Sequence, residues 1–419
     1  MTMGKIHIKA GDSVSLVTEA IQWSVFELEA AQLYELVLER QVVQGRNPYT
    51  LQAKALFRAD ENGQIQPAEM APLKGSYSEA DSMGLFWSMG KKDTEAKAPP
   101  LDHANKVDPR CYTLTLVQAG VRLDSVLLQR HWYPEQIKRQ PVHDAGLIGT
   151  YFFEEGISKP TIIVVGGSEG GVYEYAAAAL ASEGFHTFAL GYFGVEGKPN
   201  RLEGIDLSIV DQAVKWINQR EETTEKIGIH GTSRGGEFAL WSSVYVDDVA
   251  ACVALNGMRY SMSAIVPWSS DECLPPAWLY NGQTLPYLTP KNPVETALLC
   301  KRLFSEGKNP FKIWYDALYE HSYAYPQAKI PIERTNKPTL LLAGRDDGMF
   351  SAEQMNDVEQ KSHIHQQLFA EAGHEMGIPY LPISATVFQG GRRRETAKAS
   401  IASWKTTVQF FHTHLKNEP

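Results

Sequence analysis

The sequence predicts a chain of two parts, an antiparallel β domain followed by a domain in which a mainly parallel sheet alternates with helices. Two observations predict this division. Apolar and polar residues alternate at period two before about residue 130, and continuous apolar runs alternate with helical patterns from about residue 147. The first pattern is typical of strands with one buried face, and the second of strands covered by helices on both faces. The 419 residues are enough for two such domains.

The N-terminal strands are clearest in two adjoining segments, 111–120 and 121–130, which both alternate apolar and polar residues. The Ala-Gly pair between them predicts a hairpin with one buried face. Residues 49–63 repeat the alternation and end at Glu-Asn-Gly, a turn signal. Several short strands without a long amphipathic helix predict a β-sandwich.

The domain boundary is predicted within residues 131–146, a polar stretch that holds two prolines. The polar segment 90–109 also holds paired prolines, and it predicts an exposed loop inside the first domain. We therefore assign residues 1–140 to the β-sandwich and residues 141–419 to the second domain.

The second domain is predicted from its alternating strands and helices. Apolar runs predict strands at 161–167, 185–193, 226–231, 249–257 and 339–344. Helices are predicted at 172–184, at 204–220 and at the end of the chain. The helix at 204–220 places four apolar residues on one face, Ile209, Ala213, Trp216 and Ile217. The last helix is predicted to bury one stripe, formed by Ile401, Trp404, Val408, Phe411 and Leu415.

Residues 258–329 interrupt this regular pattern. They are rich in proline, serine and aromatic residues and too long for an ordinary loop. Long excursions at this point of an α/β sheet are often lids over the site. The alternative is an ordered surface excursion without a function.

The sharpest chemical signal is the pentapeptide from Gly231 to Gly235, with Ser233 at its centre. It follows the predicted strand 226–231 and precedes a helical pattern, which is the context of a nucleophile elbow. A serine on a tight strand-to-helix turn needs small neighbours two residues before and after it, and the two glycines provide that space. The alternative is a glycine-serine turn without chemistry.

A serine nucleophile needs a base, and the base needs an orienting acid. In an α/β-hydrolase the acid and then the base follow the serine along the chain. Asp346 and Asp347 lie at the end of the strand 339–344, and the usual spacing from Gly344 selects Asp347. His374 is the histidine that lies downstream in a glycine-flanked loop after a strand, so it is the predicted base.

An acyl nucleophile also needs hydrogen-bond donors for the developing oxyanion. The main-chain N–H of Arg234 is one candidate. The glycine-rich loop 166–171 supplies the others, at Gly167 and Ser168. This loop resembles a phosphate-binding turn but lacks the Lys-Ser/Thr ending of a P-loop, so nucleotide binding is the weaker interpretation.

Composition excludes several classes of protein. The net charge of −9 and the pI near 5.8 argue against a nucleic-acid partner, since no broad positive field is available. No run approaches the roughly 20 apolar residues of a membrane span, so no stable membrane insertion is expected. Four cysteines without C-x-x-C spacing, and no secretory leader pattern, predict a reduced, cytoplasmic protein. No motif calls for a metal or a cofactor, and His363-x-His365 is better explained as a solvated turn.

These residues together resemble the acyl-CoA thioesterase and bile-acid-CoA:amino-acid N-acyltransferase family over nearly the whole chain. The segments that carry the resemblance are 57–89, 164–193, 228–240, 254–257, 330–347 and 372–382. The resemblance implies an N-terminal β-sandwich on an α/β-hydrolase domain. It also implies a triad of Ser233, Asp347 and His374, and an acyl-CoA or related acyl thioester or ester as substrate. Glu169 departs from the pattern, because relatives often have glycine there.

Members that transfer the acyl group to an amino acid tend to carry cysteine as nucleophile, so Ser233 favours hydrolysis. The alternatives are hydrolysis of an ester, lactone, peptide or carrier-bound thioester, acyl transfer to an amine, and a non-catalytic binding module. A net charge of −9 would repel anionic CoA at long range. We therefore expect local basic groups to bind CoA, with Arg234 and residues 392–394 as candidates.

Overall fold

The computed structural model describes residues 4–8, 12–44, 47–92, 107–265, 273–351, 358–359 and 361–415. The chain forms two compact units. The first consists of Met1–Pro134, Ile378–Ala385 and Arg393–Ile401, and the second consists of Glu135–Gly377, Thr386–Arg392 and Ala402–Pro419. A division at residue 140 does not include the two C-terminal segments in the first unit. The assignment of 1–140 and 141–419 as domains stays a prediction.

The first unit is built mainly from antiparallel strands. Its elements are β1 (Lys5–Ile8), β2 (Val14–Leu16), β3 (Trp23–Phe26), β4 (Leu33–Gln44), β5 (Asn47–Arg58), β6 (Lys74–Gly75), α1 (Gly84–Trp87), β7 (Gly90–Lys91), β8 (Arg110–Gln118) and β9 (Val121–His131). The main sheet has the order β2-β9-β8-β4-β5-β6, with β7 also paired to β5, and β1 pairs with β3 in a second, smaller sheet. Side chains of both sheets belong to one hydrophobic core, as expected of a sandwich.

The predicted hairpin at 111–130 is confirmed. Strands β8 and β9 pair antiparallel, and their register closes at Gln118 opposite Val121. The two turn residues, Ala119 and Gly120, have φ angles of 48° and 82°. Two positive φ angles are what a tight hairpin turn requires, and glycine meets that requirement without strain. Of the predicted loop 90–109, residues 93–106 lie outside the described residues.

The second unit alternates strands and helices. Its strands are β10 (Ile137–Asp144), β11 (Leu147–Glu154), β12 (Lys159–Val165), β13 (His186–Leu190), β14 (Ile205–Asp206), β15 (Thr223–Thr232), β16 (Val249–Leu255), β17 (Trp278–Tyr280), β18 (Gln283–Thr284), β19 (Thr339–Gly344) and β20 (Ile364–Phe369). Its helices are α2 (Glu174–Ala181), α3 (Ser208–Asn218), α4 (Arg234–Tyr245), α5 (Pro293–Ser305), α6 (Phe311–Glu320) and α7 (Arg393–Leu415), of which α7 begins in the first unit.

The central sheet of this unit has the order β10-β11-β13-β12-β15-β16-β19-β20. The strands from β13 to β20 in that order run parallel, whereas β10 and β11 are antiparallel at one edge. The apolar run of β12 is buried along most of its length, and β19 is buried throughout. The carboxyl ends of parallel strands meet at one edge, where open α/β sheets usually bind ligands.

Of the two buried helix faces that the sequence predicts, the one on α3 is confirmed and the one on α7 is partly wrong. The face of α3 is confirmed, because Ile209, Ala213, Trp216 and Ile217 are buried. The stripe predicted on α7 is partly wrong, since Ile401 is 37% exposed while Phe411 and Leu415 are buried. Four hydroxyl residues take buried positions on α7 instead, namely Thr396, Ser400, Ser403 and Thr407. A hydroxyl such as that of Ser400, which donates to the Thr396 carbonyl of its own helix, can be buried without an unpaired donor.

The excursion at 258–329 is more regular than its sequence suggests, although residues 266–272 lie outside the described part. It contains α5 and α6, and α5 begins at Pro293, a residue type favoured at the first helical position. A separate hydrophobic cluster that includes Met262, Trp314 and Leu318 stabilises it.

Within the described residues, no helix combines the length and the apolar character required to cross a bilayer.

Candidate active site

Ser233 lies at the turn between β15 and α4, with φ 57° and ψ −125°. A positive φ is unfavourable for a side-chain-bearing residue, so the surrounding structure must hold this conformation. The flanking glycines explain how the turn is possible. A Cβ on Gly231 would lie 2.0 Å from the carbonyl oxygen of Gly235, and a Cβ on Gly235 would lie 2.1 Å from that of Gly166. The steric reason that the sequence suggested for both glycines is confirmed.

The structure brings Ser233, His374 and Asp347 together. Nε2 of His374 lies 3.0 Å from Oγ of Ser233, and Nδ1 of His374 lies 2.6 Å from Oδ2 of Asp347. The other carboxylate oxygen of Asp347 accepts the N–H groups of Met349 and Phe350 at 2.7 and 3.2 Å. These bonds fix the carboxylate, which in turn orients the imidazole.

Asp346 and Asp347 are adjacent but point to different environments. Asp347 is 4% exposed and faces His374. Asp346 is exposed, and its N–H donates to the carbonyl of Ala372 at 3.1 Å. The structure therefore places the predicted member of the pair next to the imidazole.

Asn256 holds the His374 loop against the end of β19. Its side chain donates to the carbonyl of His374 at 2.9 Å and accepts from the N–H of Gly344 at 3.1 Å. Sequence reasoning did not assign it this role. The available signal was an Asn-Gly pair directly after a strand, with Asn256 at a φ of 47°, a conformation that asparagine tolerates better than most residues.

Phe350 is a second residue that sequence reasoning missed. Its ring packs edge-on against the imidazole of His374, with the ring centroids 5.1 Å apart. The ring of Tyr315 in α6 packs edge-on against that of Phe350, with the ring centroids 5.4 Å apart. The excursion thus contacts the base through one aromatic side chain.

The charge environment of His374 favours its protonated form. Burial, the largest single effect, lowers the pKa of the imidazole, but the charge and the hydrogen bond of Asp347 and the charges of Glu169 and Glu375 together outweigh it. The net result is a pKa above the ordinary value. A base of this kind can accept a proton from Ser233 while it remains paired with Asp347.

The three predicted oxyanion donors have different surroundings. Gly167 lies against the nucleophile, because a Cβ there would be 3.0 Å from Cβ of Ser233. Ser168 is exposed at the tip of the loop. Arg234 begins α4, so its main-chain N–H is at a helix N-terminus, where negative charge is favoured. The hydroxyl of Tyr192 donates to the carbonyl of Gly166 at 2.7 Å and anchors the loop.

The side chain of Arg234 is not a surface cation, contrary to expectation. It is 1% exposed and donates to Glu237 at 2.7 Å and to the carbonyl of Ser263 at 3.1 Å. Glu237 also accepts the main-chain N–H of Met262 at 2.7 Å and the indole N–H of Trp278. This buried ion pair, which we call the Arg234–Glu237 clamp, ties the start of the excursion to the elbow helix.

The arginines of the basic run at 392–394 also bind to other groups of the protein. Arg392 pairs with Glu371 at 2.8 Å, and Arg394 pairs with Glu79 at 2.6 Å. Arg393 donates to a main-chain carbonyl.

Among the described residues, no three His, Cys, Asp or Glu side chains lie together as metal ligands would.

Comparison with known proteins gives similar chains of nearly the same length. Acyl-coenzyme A thioesterase 1 of Mus musculus is 26% identical over 407 residues, which cover 90% of each chain. The Homo sapiens protein of that name is 27% identical, with 87% of this chain and 86% of that one covered. The peroxisomal succinyl-coenzyme A thioesterase of Mus musculus is 27% identical over 90% of this chain and 89% of that one.

Among solved structures, an acylaminoacyl peptidase of Pyrococcus horikoshii covers 96% of this chain and 60% of its own, at 14% identity and a TM-score of 0.41. The α/β hydrolase GrgF from Penicillium sp. covers 67% of this chain and 99% of its own, at 16% identity and a TM-score of 0.40.

Two family models match the two parts of the chain. The acyl-CoA thioester hydrolase/BAAT N-terminal region matches residues 18–144, and the BAAT/acyl-CoA thioester hydrolase C-terminal region matches residues 205–417. Together with the strand order and the nucleophile elbow, these matches give the fold as an α/β-hydrolase preceded by an antiparallel β domain. The chain is a hydrolase and belongs to the acyl-CoA thioester hydrolase/BAAT family.

Proposed function

We propose that this protein hydrolyses acyl-CoA thioesters to a free acid and CoA through an acyl-enzyme on Ser233. The observation that carries the proposal is the unbroken hydrogen-bond chain from Ser233 through His374 to Asp347. It occurs in a chain whose relatives are named acyl-coenzyme A thioesterases. A nucleophile, a base and an orienting acid at these distances are the groups that acyl transfer requires.

The first half of the reaction acylates the serine. As Oγ of Ser233 attacks the thioester carbonyl carbon, Nε2 of His374 accepts the hydroxyl proton. Negative charge develops on the carbonyl oxygen, and we assign its donors to the N–H of Arg234 and the loop at Gly167 and Ser168. The carbon–sulfur bond then breaks, and His374 returns the proton to the departing CoA sulfur.

The second half releases the acid. His374 accepts a proton from a water molecule, whose oxygen attacks the acyl carbonyl carbon. The bond to Oγ breaks, and Ser233 recovers its proton from His374. Ser233 favours water over an amine acceptor, since the transferases that the chain resembles tend to use cysteine.

We propose that the excursion at 258–329 is a lid over this site. Its support is that α6 contacts the loop of the acid. Nζ of Lys312 and a carboxylate oxygen of Asp316 both hydrogen-bond the hydroxyl of Ser351, the latter at 3.0 Å. The side chain of Tyr315 packs on Phe350, which in turn packs on His374. A movement of α6 would therefore reach His374 through Phe350.

A second candidate function keeps the triad but uses a substrate without CoA, such as an oxygen ester or a carrier-bound thioester. One observation favours it. The side chain of Arg234 is buried against Glu237, and Arg392 and Arg394 pair with carboxylates. The cations that the sequence offered for CoA phosphates are thus already engaged.

The test is thiol release from a panel of acyl-CoA thioesters of increasing chain length, compared with hydrolysis of matched p-nitrophenyl esters. We expect Ser233→Ala to lower kcat by at least about 10³-fold, because the acyl-enzyme can no longer form. Ser158→Ala is the matched control, since it makes the same chemical change at an exposed serine in the loop between β11 and β12, away from the site.

Each outcome separates the candidates. Thioester hydrolysis by the native protein no faster than by Ser233→Ala at every chain length, together with rapid p-nitrophenyl ester hydrolysis, would favour the second candidate. If glycine or taurine is added to the reaction, formation of its N-acyl conjugate would show acyl transfer instead. Failure of a fluorophosphonate to label Ser233 would exclude the serine mechanism altogether.

A further inference from the structure

A carboxylate lies beside the proposed nucleophile, on the oxyanion loop. The N–H of Gly170 donates to the carbonyl of Gly167 at 3.3 Å, so Ser168 and Glu169 form the tip of a tight turn. Oε2 of Glu169 lies 3.1 Å from the point that a Cβ on Gly167 would occupy, and Cβ of Ser233 lies 3.0 Å from the same point. The Glu169 carboxylate is therefore a close neighbour of the reacting serine.

The carboxylate of Glu169 is one of three acidic groups whose charge acts on the neighbouring imidazole of His374. The groups whose charge raises the pKa of His374 are Asp347, Glu169 and Glu375, all of them carboxylates. The guanidinium of Arg234, next to Ser233 in sequence, is buried with Glu237 and hydrogen-bonds two carbonyls of the excursion. Its charge is thus compensated within the clamp.

A negative side chain at this place has a chemical cost. The attack on an acyl carbonyl places negative charge on the oxygen beside the same loop, and a nearby carboxylate opposes that charge. The side chain is also exposed, so it meets the substrate as the acyl group enters. The same field acts on any charge that the acyl group itself carries, with repulsion of anions and attraction of cations.

We propose that Glu169 is a specificity-determining residue, whose carboxylate disfavours short acyl groups that end in a carboxylate and favours those that end in a cation. The proposal rests on the proposed acylation of Ser233 and names the charge class of its acyl donor. The CoA moiety is common to all donors, so its own charge does not enter the comparison.

The test compares three thioesters with the same spacer, namely pentanoyl-CoA, glutaryl-CoA and the CoA thioester of 4-(trimethylammonio)butyrate. In each, three methylene groups separate the carbonyl from a terminal methyl, carboxylate or trimethylammonium group. The specificity constant kcat/KM is measured by thiol release, with the spontaneous rate subtracted. The proteins are the native chain, Glu169→Gln, and Glu155→Gln, a control that removes an exposed carboxylate from the loop between β11 and β12.

We expect the native protein to prefer the cationic over the neutral and the neutral over the anionic thioester. Glu169→Gln should raise the ratio of glutaryl to pentanoyl kcat/KM by about fivefold and lower the ratio for the cationic thioester, as expected for unit charges about 4 Å apart in exposed, water-like surroundings. The difference should shrink at high salt. Glu155→Gln should leave both ratios unchanged.

Unchanged ratios in Glu169→Gln would overturn the proposal, and so would an equal change in Glu155→Gln, because the effect would then belong to the net charge. Hydrolysis of neutral pentanoyl-CoA by Glu169→Gln verifies that the variant folds. If no thioester reacts, the same ratios are measured on p-nitrophenyl pentanoate and mono-p-nitrophenyl glutarate. Inertness towards both series would overturn the proposed function and this proposal with it, whereas a ratio unchanged by Glu169→Gln overturns only this one.

Discussion

Ser233, the proposed nucleophile, has an unfavourable backbone conformation. A side-chain-bearing residue at φ 57° and ψ −125° costs roughly 1–3 kcal/mol relative to a relaxed conformation. Two main-chain hydrogen bonds oppose relaxation, since the N–H of Ser233 donates to Leu255 at 2.9 Å and its carbonyl accepts from Gly236 at 2.9 Å. In this conformation Oγ of Ser233 lies at the end of the sheet, within hydrogen-bond distance of His374.

Asp347 is expected to act through His374. In Asp347→Asn the amide oxygen can still accept from Met349 and Phe350, so the loop keeps its shape. The amide cannot stabilise an imidazolium as a carboxylate does, and it favours the wrong tautomer of His374. We expect kcat to fall by about 10³–10⁴-fold with little change in unfolding free energy, measured by thiol release and by urea titration.

Asp346→Asn is the matched control for this prediction. It makes the same chemical change at the adjacent, exposed position. We expect its kcat to stay within about twofold of the native value, because Asp346 has no contact with the imidazole. An equal loss in both variants would assign the acid role to the pair rather than to Asp347.

The pH dependence should report the raised pKa of His374. The imidazole must be neutral to accept the proton of Ser233, so kcat/KM falls as the pH drops through its pKa. Burial lowers that pKa, and Asp347, Glu169 and Glu375 raise it to a net value above the ordinary 6.5. The acidic limb of the profile is therefore expected above pH 6.5.

The charges around His374 also predict the direction in which a substitution shifts the acidic limb of the pH profile. Glu169→Gln removes a negative charge near the imidazolium, so it should shift the acidic limb to lower pH, while Glu155→Gln should not. The profile is measured with pentanoyl-CoA, whose acyl group does not titrate. An acidic limb at or below the ordinary histidine value in the native protein would contradict the charge assignment.

At the scale of elements, the Arg234–Glu237 clamp should contribute to stability by joining α4 to the excursion. Both side chains are buried, so removal of one charge leaves the other unpaired in a medium of low polarity. We expect Glu237→Gln, which keeps an acceptor for Met262 and Trp278, to lower the unfolding free energy by about 3–5 kcal/mol. Urea titration followed by circular dichroism measures this.

The double variant Arg234→Met with Glu237→Gln is the control. Because both charges are removed, its loss of stability should be smaller than the sum of the two single losses. Strict additivity would show that the two side chains are not energetically coupled. Lys215→Met on the exposed face of α3 is a matched surface change, and it should cost within about 0.5 kcal/mol.

The elements differ in how far their sequence determines them. Helix α3 is predictable because its apolar residues recur with the helical period and face the core. The face of α7 is not, because it buries residues that look polar in sequence, such as Ser400, whose hydroxyl donates to a carbonyl of its own helix. The excursion also looked irregular, although α5 and α6 bury apolar residues in a separate cluster, which includes Ala343 of β19.

The site shows the same contrast. Ser233, Asp347 and His374 could be predicted because each follows a recognisable strand, and the ends of parallel strands converge. The contact of Phe350 with His374, the bridge made by Asn256 and the burial of Arg234 could not. Each depends on groups from segments that are distant in sequence, including the main-chain groups that Asn256 and Arg234 contact, and no local pattern encodes such contacts.

At the scale of the whole molecule, net charge and local pairing act in the same direction. The chain has 49 acidic and 40 basic side chains, a net charge of −9. Of the arginines that the sequence suggested as exceptions, Arg234, Arg392 and Arg394 are paired with carboxylates, and Arg393 donates to a main-chain carbonyl. The four arginines that the sequence suggested for CoA binding are therefore all engaged with other groups of the protein.

The negative net charge and the pairing of these arginines predict how ionic strength affects the reaction. An anionic CoA thioester approaches a protein of like charge, and salt screens that repulsion over a length of roughly 10 Å at 0.1 M. We expect kcat/KM for pentanoyl-CoA to rise by about two- to fivefold between about 10 mM and about 150 mM salt. The value for uncharged p-nitrophenyl pentanoate should stay constant, which controls for effects of salt on the triad. A fall in kcat/KM for the CoA thioester alone would instead reveal a local cationic site that attracts CoA more strongly than the whole protein repels it.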